Sequence, residues 1–285
     1  MLTIILGFAT SLVYGFADFF GAIGSRKIKP VTVTMVSGFV GLIFVCLVGL
    51  SMGASFSSGV WFWGTIAGLS SAVGLSALYA ALAIGPISIL SPLSAVVSAI
   101  VPMLVGFFIG ERFSALGFVA LGVILLAVFL VGFVPGDDVH LPTPRALILS
   151  IVAGTGIGVV LIAIDQAPGD SGLGPVIIVR AVAALSLALF LVLSLVRKST
   201  DTPKPAPAKR FWLAVALAGI FDGSANILFL LASREGSLTV VAVLTALYPL
   251  GTIILARIFL KERLAKSQMA GILLALGGSA LLAIA

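Results

Sequence analysis

Ile109-Gly110-Glu111-Arg112-Phe113 and Leu260-Lys261-Glu262-Arg263-Leu264 are two versions of one short sequence, and their spacing decides how the chain is read. Each follows an apolar run, residues 101–109 and 252–260. Each leads through a few mixed residues to a glycine, Gly117 or Gly271, and then to a second apolar run. One offset of 151 residues relates Glu111 to Glu262, Gly85 to Gly236, Phe108 to Phe259 and Gly68 to Gly219. A repeat at about half the chain length is an architectural signature. In a membrane protein it suggests two homologous bundles that face one path.

Composition names the solvent. The chain has 285 residues, 61% hydrophobic and 9% charged. Soluble domains are about a quarter charged, so this much apolar surface calls for lipid. The net charge of +6 does not point to nucleic acid, because the basic residues sit in short loops between apolar runs and not on one amphipathic face. Anionic lipid and the positive-inside rule account for them. Cys46 is the only cysteine, so no intrachain disulfide is possible, and no metal cluster or cofactor is implied. His140 reads as an ordinary loop residue. No basic segment precedes the apolar stretch that starts at Leu2, so residues 2–24 read as a span, not a cleavable leader.

A spanning helix needs about 20 apolar residues. Ten stretches qualify: residues 2–24, 30–50, 60–84, 86–109, 115–134, 145–165, 172–196, 211–233, 237–260 and 267–285. The expected fold is therefore an all-α membrane protein of ten transmembrane helices. Residues 1–134 form one five-helix repeat, 145–285 the second, and 135–144 the linker. An odd number of spans per half makes the second half enter the membrane in the opposite sense, which is an inverted-topology repeat. Arg26, Lys27, Lys29, Arg145, Arg197, Lys198, Lys204, Lys209, Arg210, Lys261, Arg263 and Lys266 fall on one side, with only Arg112 and Arg234 in the opposite loops. The richer side should be cytoplasmic, which leaves both termini outside. Glycines such as Gly64, Gly68 and Gly74 suit close helix packing. Gly154-x-Gly156-x-Gly158 lacks the strand context of a nucleotide fingerprint.

Ionisable groups within spans are functional candidates by default. Asp222 lies near the middle of the eighth span, with Asn226 one turn on along the same face. The pair reads either as a substrate-amine or proton site or as a helix–helix hydrogen bond. Asp18 on the first span has Tyr14 on its face and reads either as a second such site or as a snorkelling anchor. Arg180 is about two turns into the seventh span. Asp165 or Asp170 is its expected partner, in a structural ion pair favoured over an anion site. Tyr79 and Tyr248 suit a path lining or simple packing, and Trp61 and Trp63 an outer interfacial belt. Glu111, Arg112, Glu262 and Arg263 suit capping or interfacial anchoring. Pro92, Pro102 and Pro249 each remove a helix hydrogen bond and are candidate kinks for a rocking transporter, although packing also tolerates such prolines. No catalytic constellation emerges, so an enzyme is not expected.

The segment from Pro249-Leu250-Gly251-Thr252 through Leu260-Lys261-Glu262-Arg263-Leu264 to Gln268 and Gly271 resembles the EamA signature of the drug/metabolite transporter superfamily. Ile109-Gly110-Glu111-Arg112-Phe113 is the first copy. Tyr14-Gly15-Phe16-Ala17-Asp18, Asp170-Ser171-Gly172-Leu173 and Asp222-Gly223-Ser224-Ala225-Asn226 resemble a bacterial subgroup. The resemblance extends over nearly the whole chain. It implies ten helices in two inverted halves around a central cavity, with the fifth and tenth as scaffold, and transport of small metabolites, often export. Ser98 stands where the second copy has Pro249, so the kink of the first half is displaced toward Pro102.

The expected function is thus secondary transport, an export, of a small amphipathic or amine-bearing metabolite across the bacterial inner membrane by alternating access. Proton coupling would run through Asp222 or Asp18. Bilayer, small substrate and protons are the expected partners, and monomer and homodimer both stay open. The rival reading is a non-transporting membrane subunit or sensor. A channel is disfavoured, because no rings of charge are apparent. A topology reporter fused within residues 197–210 should read out as cytoplasmic, and an external signal would reverse the assigned orientation.

Overall fold

The computed structural model describes residues 1–85, 87–132, 142–197, 208–259 and 265–283. These form helices α1 (Leu2–Ser25), α2 (Pro30–Met52), α3 (Ser58–Ile84), α4 (Ile87–Phe108), α5 (Ala115–Gly132), α6 (Pro144–Asp165), α7 (Gly174–Arg197), α8 (Lys209–Glu235), α9 (Leu238–Thr245), α10 (Pro249–Phe259) and α11 (Lys266–Ala283). The starts follow local chemistry. Ser57, Thr143 and Ser237 accept from the backbone N–H groups of Val60, Ala146 and Val240 at 3.4, 3.3 and 3.3 Å, which satisfies donors that a helix start leaves free. Pro30 and Pro144 occupy first positions, where the missing N–H costs nothing. His140 and residues 135–141 of the linker lie outside the described residues.

Among the described residues seven helices are long and apolar enough to cross a membrane: α1, α2, α3, α6, α8, Leu90–Phe108 of α4 and Gly174–Leu193 of α7. The ninth expected span is corrected: it is not one helix but two, α9 and α10, broken at Ala246–Tyr248. Pro249 explains the break. It has no N–H for the Thr245 carbonyl, which accepts instead from Tyr248 N at 3.1 Å, in a tighter i→i+3 turn. Pro92 and Pro102 do not do this, because α4 runs unbroken through both. The expected kink of the first half is therefore absent as a break, and packing carries those prolines.

The pairing of helices is symmetric under exchange of the two halves. α1 packs on α8 as α6 packs on α3. α2 packs on α8 as α7 packs on α3, α4 packs on α6 as α9 and α10 pack on α1, while α2 meets α7 and α5 meets α11. Directions follow from named contacts. Thr3 Oγ1 donates to the Glu235 carbonyl at 2.9 Å, and at the far end Gly24 lies against Val215, so α1 and α8 are antiparallel. Gly85 lies against Ala146 and Gly59 against Pro168, so α3 and α6 are antiparallel too. One end of the bundle gathers the start of α1, the α2–α3, α4–α5 and α6–α7 loops and the α8–α9 turn. α1 starts at the end where α6 finishes.

Glycine makes the close approaches. A methyl group on Gly15 would overlap the Tyr248 carbonyl oxygen, and one on Gly251 the Leu12 carbonyl oxygen. Here α1 and the α9–α10 break touch backbone to backbone, and Thr252 Oγ1 donates to the Gly15 carbonyl at 3.0 Å. Gly156 packs on Gly74, and a methyl on Gly154 would meet the Ser94 carbonyl oxygen, so that glycine stripe is a packing seam. Replacing Gly15 with Ala should destabilise the protein by about 1–3 kcal/mol, the usual range for overpacking. Thermal melting in detergent checks this, and an unchanged midpoint would contradict the seam.

Candidate functional site

Asp222 sits midway along α8, with Asn226 one turn later, and both side chains face inward at 5% and 2% exposure. Their partner comes from α7. Arg180, 2% exposed, forms an ion pair with the Asp222 carboxylate and also donates to the Asp222 carbonyl at 3.1 Å. The expected partners Asp165 and Asp170 are therefore corrected. Asp165 instead accepts from Gln166 at 2.9 Å, at the end of α6. The physical reason is the helix packing, which lays the inner face of α7 beside the centre of α8 and not beside the loop that joins α6 to α7. Asn226 Nδ2 completes the arrangement, donating to the Asp222 carbonyl at 2.7 Å. Its Oδ1 and the Nε of Arg180 have no partner among the described residues.

The first half supplies the other wall. Asp18 of α1 is 8% exposed and faces the bundle, which removes the snorkelling account. No hydrogen bond or ion pair reaches its carboxylate among the described residues. It is close enough for its charge to interact with Asp222, Tyr14, Tyr79 and Tyr248. Tyr79 of α3 is 1% exposed, and its hydroxyl end abuts Gly21, three residues along α1 from Asp18 and on the same face. Tyr248, in the α9–α10 break, donates to Ser94 Oγ of α4 at 3.3 Å. Thus Tyr14, Asp18, Tyr79, Arg180, Asp222 and Asn226 form one cluster at the centre of the bundle. The sequence reading missed Ser94, which looks like one more small packing residue until Tyr248 is placed beside it.

The signature residues lie elsewhere. Glu111 Oε2 accepts from the Thr239 backbone N–H at 3.2 Å, so it caps the start of α9 across the two halves. The Arg112 guanidinium lies over the Phe107 ring, 5.6 Å from its centre. Glu262 and Arg263 lie outside the described residues. At the same end the α2–α3 and α6–α7 loops pair like a short strand ladder. Ser55 N donates to the Ser171 carbonyl at 3.0 Å and Leu173 N to the Gly53 carbonyl at 2.9 Å. Gly172 has a φ of 55°, and a side chain there would overlap the Gly53 carbonyl, so this pairing requires glycine. Arg234 closes over the pairing, donating to Ser171 Oγ at 3.2 Å and the Gly172 carbonyl at 3.0 Å.

Residues 1–133 and 144–284 each match the model of a family described as EamA-like transporters. No curated protein matches the chain. Among solved structures, 28 chains match. One, titled only as the crystal structure of a protein, aligns with a TM-score of 0.75 over 99% of this chain and 96% of that one, at 18% identity. That is a likeness of fold.

Removing one partner of a buried ion pair strands the other, at a cost of about 3–5 kcal/mol. Arg180→Gln and Asp222→Asn should each lower the melting temperature strongly, and the double variant should recover most of the loss. Equal, additive losses would show that the two side chains do not depend on each other.

Proposed function

The chain belongs to the EamA-like transporter family, and from that premise we propose a secondary transporter that exports a small amphipathic or amine-bearing metabolite by alternating access. The observation that carries this reading is the central cluster. Polar groups from both halves, Tyr14, Asp18 and Tyr79 from the first and Arg180, Asp222, Asn226 and Tyr248 from the second, meet at mid-bundle inside otherwise apolar helices. Such groups are expensive within a bilayer and mark substrate or ion sites. Proton coupling runs through the carboxylates of that cluster.

The proposed topology is ten spans in two inverted halves, with α9 and α10 together making the ninth. The helix pairings that exchange with the halves, and the opposite running of α1 and α6 between the two ends, support it. The basic loops lie on the cytoplasmic side of a bacterial inner membrane, and the end that carries Thr3, Glu111 and Arg234 faces out. At that outer end the halves are tied together: Thr3 to Glu235, Glu111 to Thr239, and the α2–α3 loop to the α6–α7 loop. We read this arrangement as the state closed to the outside, with transport requiring those ties to part. Pro249 and the break before it give α9 and α10 a place to bend independently.

A disulfide across the outer end tests the cycle. A Cβ built on Gly236 lies 3.1 Å from Thr3 Cβ, near the separation of about 3.5–4.5 Å that a disulfide needs. Thr3→Cys with Gly236→Cys, in a Cys46→Ser background, should stop efflux of a defined metabolite mixture from proteoliposomes when oxidised, and reductant should restore it. Full efflux with the crosslink formed would sink the alternating-access reading.

A further inference from the structure

The end of the bundle that carries Glu111 holds a small niche between the two halves. Gly110 has a φ of 100°, a conformation that suits glycine. The turn it makes brings Glu111 back over the last turn of α4, where Glu111 N donates to the Gly106 carbonyl at 3.0 Å. Gly106 has no side chain, and two oxygens occupy the space that one would take. A Cβ built there would overlap both Glu111 Oε2 and Thr239 Oγ1, so these atoms lie side by side. α6 ends at the same level. It runs parallel to α4, with Gly154 against Ser94 and Val97, and Gly158 against Val101 and Pro102. Asp165 is seven residues beyond Gly158, and Phe108 seven beyond Val101, so Asp165 comes level with the end of α4. Its charge interacts with that of Glu111.

The chemistry of this niche is that of a cation site. Neither Glu111 nor Asp165 has an ion pair among the described residues. The arginines of this end are engaged elsewhere, Arg112 over the Phe107 ring and Arg234 on Ser171 and Gly172. Only one oxygen of each carboxylate takes a hydrogen bond there, Oε2 of Glu111 from Thr239 N and Oδ2 of Asp165 from Gln166. Thr239 is 0% exposed, and its Oγ1 has no hydrogen-bond partner among the described residues although it lies against a carboxylate. A buried hydroxyl in that position is costly unless another group uses its lone pairs. α4 and α6 add the negative ends of two helix dipoles. All the donors are oxygen, and two are anionic. Calcium takes such ligands in flexible geometry, whereas magnesium demands a near-ideal octahedron. No group of three or more His, Cys, Asp or Glu that could hold a metal occurs among the described residues. The affinity expected is therefore that of weak extracellular calcium sites, about 10⁻⁴–10⁻³ M.

We propose that Glu111, Asp165 and Thr239 form a calcium site, with the two carboxylates balancing the charge and the Thr239 hydroxyl supplying a further oxygen. Glu111 belongs to the first half, and Asp165 and Thr239 to the second. The cation thus ties the halves together beside the Thr3–Glu235 contact and the paired α2–α3 and α6–α7 loops. Under the topology proposed above, the site meets the extracytoplasmic medium, and calcium there holds the outer end closed. That consequence rests on the proposed function; the site itself rests on the geometry alone.

Calcium titration of purified full-length protein, first stripped with chelator, tests this without knowing the substrate. Calorimetry should give one ion per chain, and melting in detergent at constant ionic strength should show a midpoint raised by calcium and raised less by magnesium. Glu111→Gln and Asp165→Asn can still accept from Thr239 N and Gln166, so each should stay folded and lose the calcium-dependent rise. Thr239→Val should weaken binding without lowering the calcium-free midpoint, since the hydroxyl has no partner to lose. A parent midpoint that calcium leaves in place, a rise that both carboxylate variants retain, or a calcium-free midpoint lowered by Thr239→Val would overturn the site. In proteoliposomes, calcium at the outer face should slow efflux by the parent and leave the rate of Glu111→Gln where it was without calcium. Efflux that ignores an occupied site would remove the closing role. If calcium binds as described while proteoliposomes carry no metabolite, the transport reading fails and the site stands.

Discussion

A guanidinium and a carboxylate that meet in the middle of an apolar bundle set conditions on everything around them. Moving either ion alone out of water costs on the order of 20 kcal/mol by an idealised estimate. Only close pairing with further hydrogen bonds offsets that. Arg180 and Asp222 meet the demand through the ion pair, the carbonyl contact and Asn226. The arrangement works only if α7 and α8 keep one register, and that register is set by their neighbours. Gly219 of α8 lies where a methyl would overlap the Ser37 carbonyl of α2, and Gly41 of α2 accommodates the Arg180 stem. The charge pair and the small-residue seams are therefore one device. The seams bring the backbones close, the closeness fixes the angle of α7, and the angle places a guanidinium on a carboxylate.

The same closeness shapes the first half. Gly15 lets α1 touch the α9–α10 break, and Gly21 leaves room for the Tyr79 ring. Gly21, which receives the Tyr79 ring, lies on the same face of α1 as Asp18, three residues further on. Neither half contains the site by itself. A cluster assembled across two repeats depends on how the repeats sit against each other.

Much of this was legible in the sequence because hydropathy and charge are local signals. The spans, the repeat at an offset of 151 residues and the central position of Asp222 and Asn226 need only counting along the chain. Partners are a different matter. Arg180 and Asp222 are 42 residues apart, and Glu111 and Thr239 are 128 apart. Proximity in sequence favoured Asp165 and Asp170, yet a buried cation takes the carboxylate that packing delivers, not the nearest along the chain. The prolines teach the same lesson. Pro92, Pro102 and Pro249 carry the same backbone defect, and only at Pro249 does the helix break. What differs is the contact there: at Pro249 the turn lies against Gly15 and gains the Thr252 hydrogen bond to α1.

Magnitudes separate the two kinds of contact. Stranding either charge of the Arg180–Asp222 pair costs about 3–5 kcal/mol. The outer ties are of another order. Among the described residues they are, across the two halves, Thr3 with Glu235, Thr239 with Glu111, Ser55 with Ser171 and Leu173 with Gly53. Each such hydrogen bond contributes about 0.5–1.5 kcal/mol net, and at a wet membrane face water replaces it readily. Together they are worth a few kcal/mol, close to the ~5.5 kcal/mol that swings a two-state equilibrium from one side to the other. The division of labour is then physical: a strongly coupled, paired core in the second half, and a rim of weak ties between the halves at one end of the bundle.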